Sequence, residues 1–247
     1  MQRLRAWLFV AIELVTVIPI ALGCLVLAPF PLHLRYRWTI LWPRMVIWAG
    51  RVVCGMRYRV IGMENLPDGP CVLLPKHQST WETMFFPTMM PRELCFVYKR
   101  ELHWVPFFGW GIKLLRMVHI DRSRGTDAFE YVVKQGTQRM QEGRWIIMFP
   151  EGTRTPVGAK GRYKSGGSRL ALRMGVPVVP IAHNAGELWP RKKLPQRPGL
   201  ITVSIGPKIE SAGRTADEVT SEVESWIESE MRRISPHAYA EPSPPPV

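Results

Sequence analysis

Residues 71–83 read CVLLPKHQSTWET, from Cys71 to Thr83. Val72, Leu73 and Leu74 are a continuous apolar run of the kind found in strands covered on both faces. The run stops at Pro75, and basic, imidazole, hydroxyl and carboxylate groups follow at once. This predicts a buried strand that opens into a site, with Ser79 or Thr80 capping a helix whose body begins near Trp81. His77 then lies on the strand-to-helix turn, where open α/β sheets put their ligands. On one regular helix His77 and Glu82, five apart, would diverge by roughly 140°; with His77 in the turn, the carboxylate can fold back to the ring. An imidazole titrates near about 6.5 and can take a proton at neutral pH, while a carboxylate on its other nitrogen fixes the tautomer and stabilises the charged ring. A surface His beside a surface Glu would have the same sequence, so the rest of the chain must decide.

Working outward, apolar runs recur at Leu94–Tyr98, Met117–Ile120, Trp145–Phe149, Pro177–Ile181 and Leu200–Ile205, and RYRVIG after Met56 alternates like a strand with one wet face. Helical patterns such as Thr126–Glu142 separate several of them. The fold class this predicts is α/β: a mostly parallel or mixed sheet flanked by helices, with strand ends converging on one rim. TADE at Thr215–Glu218 is a capping box for a last helix carrying Val219, Val223, Trp226, Ile227, Met231 and Ile234 on one stripe. Three further strand ends turn polar: VYKREL brings Lys99 and Arg100, HIDRSRG brings Arg122 and Arg124, and FPEGTRT brings Glu151, Gly152 and Arg154. Guanidinium and ammonium groups beside a glycine that lets the backbone approach closely suit a phosphate.

The chain carries 33 Lys and Arg against 20 Asp and Glu, a formal charge of +13, so its partner is anionic: nucleic acid, a phospholipid surface or a phosphorylated small molecule. No nucleic-acid-binding module is recognisable, and that reading leaves the N-terminus unexplained. Ala6–Phe30 is apolar on every face apart from Glu13 and is interrupted at Pro19; as a helix it would run roughly 37 Å, enough for a bilayer core. A second apolar segment, Trp38–Cys54, has Arg44 and Arg51 on one face. Together they predict a helical hairpin that anchors residues 1–55 to a membrane, followed by an α/β domain over residues 56–235 and a disordered Pro-rich tail over residues 236–247. Cys24, Cys54, Cys71 and Cys95 lack the spacing of a zinc site or a disulfide framework, so no metal is expected and a reducing compartment is.

Four of these stretches, KHQSTWE, KRELHWVPFFGWG with the later IDR, FPEGTRT and VPVVPI, stand in the order and near the spacings of the four motifs of the glycerolipid acyltransferases, which the chain resembles over roughly residues 57–209. The resemblance implies transfer of an acyl chain from acyl-CoA or acyl-carrier protein, as co-substrate and with no cofactor, to the sn-2 hydroxyl of lysophosphatidic acid, forming phosphatidic acid. It makes His77 the general base and Glu82 its partner. Lys99, Arg122 and Arg154 would bind the acceptor phosphate, with Glu151 and Gly152 shaping that pocket, and Val176, Pro177, Val178, Val179 and Pro180 would belong to the acyl-donor site. A bacterial inner-membrane enzyme is expected, with its catalytic domain facing the cytoplasm, the side on which the excess of Arg after the first apolar segment would place the rest of the chain if that segment spanned. One position departs from the family's habit: Glu82 stands where Asp is usual. Glycerol 3-phosphate or a lyso-aminolipid as acceptor, and a decayed basic scaffold, are the alternatives. No GxSxG is present, which favours direct transfer over an acyl-enzyme.

Overall fold

The computed structural model describes the chain except Arg122, residues 124–126, Gln196 and residues 240–247. Among the described residues seven strands form one sheet: β1 (Met56–Ile61), β2 (Val72–Pro75), β3 (Leu94–Lys99), β4 (Val118–Ile120), β5 (Trp145–Ile147), β6 (Val178–His183) and β7 (Gly199–Ile205). Their order is β1-β7-β6-β2-β5-β3-β4, and every neighbouring pair is parallel except β6 with β7, so the sheet is mixed, as expected.

The apolar run of β2 fills both faces. Leu73 packs with Phe9, Val46 and Phe85, which come from α1 (Gln2–Val26), α3 (Leu41–Cys54) and α4 (Trp81–Met89). Val72 and Leu74 point the other way, into a core with Val132, Leu170 and Ile227 from α6 (Asp127–Gln141), α7 (Gly166–Met174) and α8 (Ala216–Ile234). A central strand between two helical layers has no wet side, which is why its sequence does not alternate.

The second apolar segment, expected as one helix over Trp38–Cys54, is divided between α2 (Leu32–Thr39) and α3. Pro43 cannot donate to the carbonyl of Thr39, so the ladder breaks there, and Pro43 is instead accommodated in the first turn of α3. The hairpin itself forms: Trp42 donates its indole N–H to Glu13 O at 3.3 Å and Trp38 to Ile20 O at 2.9 Å. Both of its ends touch the α/β domain. Phe9 meets Trp189 edge to face at 5.2 Å, while Arg35 donates to Leu114 O at 2.7 Å and the Tyr36 hydroxyl accepts the Leu94 N–H at 2.9 Å. The opposite side of α1 leaves Trp7, Leu8, Leu14, Val15 and Ile18 exposed.

At the other terminus the Thr215–Glu218 capping box is present, with Thr215 N donating to Glu218 Oε2 at 2.7 Å and Glu218 N to Thr215 Oγ1 at 3.2 Å. The boundary expected at Ser235 falls too early. A further turn, α9 (Pro236–Tyr239), buries Tyr239, whose hydroxyl accepts from Gln78, and Ser235 and His237 bind Glu187. One aromatic with a partner beneath it outweighs the proline content around it. The rest of the expected tail, residues 240–247, lies outside the described residues.

Helix α7 approaches β2 through Gly167, where an added Cβ would stand 2.4 Å from Leu74 Cδ2. Gly167→Ala should therefore lower stability by about 1–3 kcal/mol through overpacking, read as a reduced denaturation midpoint; an unchanged midpoint would mean that this contact is loose.

Candidate active site

The turn after β2 is shaped by one carboxylate. Lys76 N–H extends the ladder to Ile181 O at 2.8 Å, and the chain then leaves the sheet at His77. Neither expected cap closes α4 in the usual way: Thr80 occupies the cap position without a side-chain bond, while Ser79 Oγ accepts the Trp81 N–H at 3.1 Å. Glu82, in the first turn, reaches back. Its Oε1 accepts the N–H of Gln78 at 2.9 Å, the N–H of Ser79 at 2.7 Å and Nδ1 of His77 at 2.9 Å. Because an ionised carboxylate only accepts, Nδ1 carries a proton, and the neutral ring then has its lone pair on Nε2. Burial pushes the Glu82 carboxyl up, but the neighbouring His183 and His77 imidazoles and the Ser79 N–H outweigh it and hold it below the usual range. Its contribution to stability is therefore present above the ordinary carboxylate value and is lost as pH falls through the depressed one.

β5 lies directly beside β2, with Val72 opposite Ile146 and Leu73 opposite Ile147, so the loop that follows β5 emerges against His77. Phe149 stacks on the imidazole at 3.8 Å with 17° between the planes. Glu151 Oε2 accepts the His77 N–H at 3.2 Å, and Thr155 donates its N–H to His77 O at 2.7 Å and its hydroxyl to the same oxygen at 3.2 Å. The loop thus holds the ring, the amide and the carbonyl of His77 at once. It can turn that tightly because Gly152 takes φ +67°, in the left-handed region. Glu151 itself is buried and faces inward, toward Lys76 at 3.4 Å. Burial pushes its carboxyl up to about 7, against the opposing pull of Lys76 and the His77 N–H.

Arg154 is half-buried on the same loop; burial lowers its guanidinium, and the Glu82 charge opposes that shift. Lys99 ends β3 with its side chain exposed, and its neighbour Arg100 is engaged by Asp121. Arg122 lies outside the described residues. Val176, Pro177, Val178, Val179 and Pro180 are not brought to this rim: Val178 pairs with Val72, five residues before His77, about 16 Å along the strand. Val176, Val178, Val179 and Pro180 are buried, and β6 reaches the rim only at His183. An apolar sequence motif in a central strand serves the core first.

A family model described as Acyltransferase matches residues 57–184. The chain is 47% identical over 210 residues to a 1-acyl-sn-glycerol-3-phosphate acyltransferase of Pseudomonas aeruginosa, covering 83% of this chain and 81% of that one. The chain belongs to the acyltransferase family. It is also 28% identical to a mouse 1-acyl-sn-glycerol-3-phosphate acyltransferase alpha, over 74% of this chain and 65% of the relative. The crystal structure of the lysophosphatidate acyltransferase PlsC from Thermotoga maritima shares its fold, with a TM-score of 0.77 at 20% identity over 95% of this chain and 97% of that one.

Several residues that shape this acyltransferase's site carry little signal in the sequence. Phe149 and Thr155 flank a legible motif without any pattern that assigns them to His77. His183, fully buried, donates Nε2–H to Lys76 O at 2.7 Å and accepts the Ala185 N–H on Nδ1 at 3.3 Å, while burial holds its own pKa below the usual imidazole value. It braces the chain just before the His77 turn. Lys76 could have been noticed, as a charge continuing a buried run.

If Glu82 orients His77 and stabilises its protonated form, Glu82→Gln should reduce turnover by at least roughly 10²-fold, the analogous loss in serine proteases being about 10⁴-fold. Glu82→Asp shortens the reach by one methylene and should retain partial activity, well above Gln. Steady-state rates of folded variants check this, and a Gln variant as active as the parent would make another acid necessary.

Proposed function

We propose that this acyltransferase acylates the sn-2 hydroxyl of 1-acyl-sn-glycerol 3-phosphate to give phosphatidic acid, taking the acyl chain from acyl-CoA or acyl-carrier protein. The observation that carries this reading is the Nδ1–H···Glu82 bond, which leaves His77 Nε2 as a base at the strand-end rim. Nε2 removes the proton of the acceptor hydroxyl, and the oxygen attacks the thioester carbonyl carbon. The tetrahedral oxyanion then collapses with cleavage of the C–S bond, and the imidazolium returns its proton to the departing thiolate. Glu82 stabilises the imidazolium between the two transfers. The thioester is a co-substrate, and no cofactor takes part. Arg154, Lys99 and Arg122 supply positive charge for the acceptor phosphate, as bidentate guanidinium contacts and a point charge.

Membrane association follows from α1, which alone among the described helices is long and apolar enough to cross a bilayer. We read it as lying in one leaflet on the cytoplasmic side of a bacterial inner membrane, where an anionic surface attracts a basic domain.

Purified protein offered lysophosphatidic acid, glycerol 3-phosphate and lyso-aminolipids with each thioester donor should acylate lysophosphatidic acid best, and His77→Ala should abolish transfer while leaving the protein folded and membrane-bound. Preference for another acceptor would replace the substrate, and turnover by a folded His77→Ala variant would end the role of His77. A reporter fused to the C-terminus should be cytoplasmic; its labelling from the periplasm would overturn the orientation.

A further inference from the structure

The side chain of Lys76, next to the catalytic His77, is fully buried on the α7–α8 face of the sheet. Its Nζ stands 2.6 Å from Glu228 Oε1 on α8 and 3.4 Å from Glu151 Oε1, and the rings of Tyr163 and Tyr239 lie 5.8 and 5.9 Å away. Tyr163 donates its hydroxyl to the same Glu228 oxygen at 2.8 Å. A buried cation persists only when it is paired and hydrogen-bonded, and here one cation serves two carboxylates. One of these carboxylates, Glu151, accepts the His77 N–H. Glu228 lies beyond the residues shared with the family model, which end at 184.

We propose that Lys76 and Glu228 are a positioning pair for the reaction: through Glu151 they fix the main chain on which the base rides, so helix α8 is a working part of the active site. The proposal rests on the reading of His77 as the base. A charge balance is involved, because Lys76 pulls the Glu151 carboxyl toward its ionised form against burial, and Glu228 competes for the same ammonium. The other groups facing Glu151 do not supply the missing charge. Burial holds the Tyr163 phenol far above its ordinary value and pushes Tyr239 up to about 12, so both stay protonated; Lys164 lies on the outer side of Gly152.

The two halves of the pair therefore act with opposite sign. Glu228→Gln keeps the shape and leaves the whole Lys76 charge to Glu151, which should ionise at lower pH. The double variant Lys76→Met with Glu228→Met removes the ion pair as an apolar unit, a replacement that buried pairs tolerate in folding, and leaves Glu151 without its cation. The experiment measures kcat and KM for lysophosphatidic acid against pH, together with hydrogen exchange of the amides in residues 76–82. The acidic limb of kcat should move down in Glu228→Gln and up by about one unit or more in the double variant. In the double variant kcat at pH 7 should fall about tenfold with little change in KM, and the His77 amide should exchange faster, since a neutral carboxyl is the weaker acceptor. Limbs that stay in place, or that move in the same direction, would overturn the proposal, as would unchanged exchange. Should the double variant not fold, the direction of the Glu228→Gln shift decides alone. If the parent protein transfers no acyl group to lysophosphatidic acid, the reading of function fails separately, and amide exchange decides the positioning pair.

Discussion

Parallel pairing of β2 with β5 is the constraint on which the site depends. Two parallel neighbours end at the same edge of the sheet, and the register of Leu73 with Ile147 puts the turn after one strand against the loop after the other. His77 is consequently gripped from three sides by a segment more than seventy residues away in sequence: Phe149 on the ring, Glu151 on the amide and Thr155 on the carbonyl. An imidazole held only by its own helix would keep the freedom of a loop. Here the sheet ladder, the Glu82 carboxylate and the neighbouring loop all determine the same few dihedral angles, and preorganisation of that kind is what converts a common imidazole into a directed one.

The two buried carboxylates beside His77 illustrate how placement sets charge. Glu82 is fully buried yet lies below the ordinary carboxylate value, because the neighbouring His183 and His77 imidazoles and the Ser79 N–H together outweigh burial. For Glu151 burial prevails over the pull of Lys76 and over two backbone donors, its own N–H and that of His77. The sign of each shift follows from whether neighbouring charges and donors outweigh burial. Glu82 is held in its charged form, whereas burial pushes the Glu151 carboxyl up to about 7, so that its charge depends on its surroundings.

Much of this was legible in the sequence. The alternation of apolar runs and helical patterns identified the α/β class, and all five later strands fall where the runs lie. The contact of His77 with Glu82 was legible because the end of a buried run and the start of a helix are both local signals, and the distance between them is set by the turn. The inward orientation of Glu151 was not legible, because FPEGTRT carries no mark of which side of the loop faces the sheet. The place of Val176–Pro180 was not legible either: its apolar character is compatible with a substrate wall and with a core strand, and the register of Val178 with Val72 shows that part of it lies within the sheet. Glu228 lies at the margin of an apolar stripe on α8, where a glutamate ordinarily faces water, and nothing in its neighbours announces a buried lysine just after β2.

The anchor obeys the same logic of contacts at a distance. A helix of 25 residues is long enough to cross a bilayer. The hairpin it opens meets the α/β domain at both ends, through Phe9 on Trp189 at one and through Arg35 on Leu114 and Tyr36 on Leu94 at the other. It therefore lies along the domain, with one stripe covered and the rest open. Trp104, 85% exposed, and Phe107, Phe108 and Trp110 belong to the segment around α5 (Phe108–Leu114), which packs against α1 and so adds to the same apolar surface. Amphipathic aromatics beside an apolar helix are suited to the headgroup boundary. An acceptor lipid at that boundary would have its phosphate at the level of the basic strand ends while its acyl chain stayed in the leaflet, so the hydroxyl between them could reach a base at the rim without the lipid leaving the membrane.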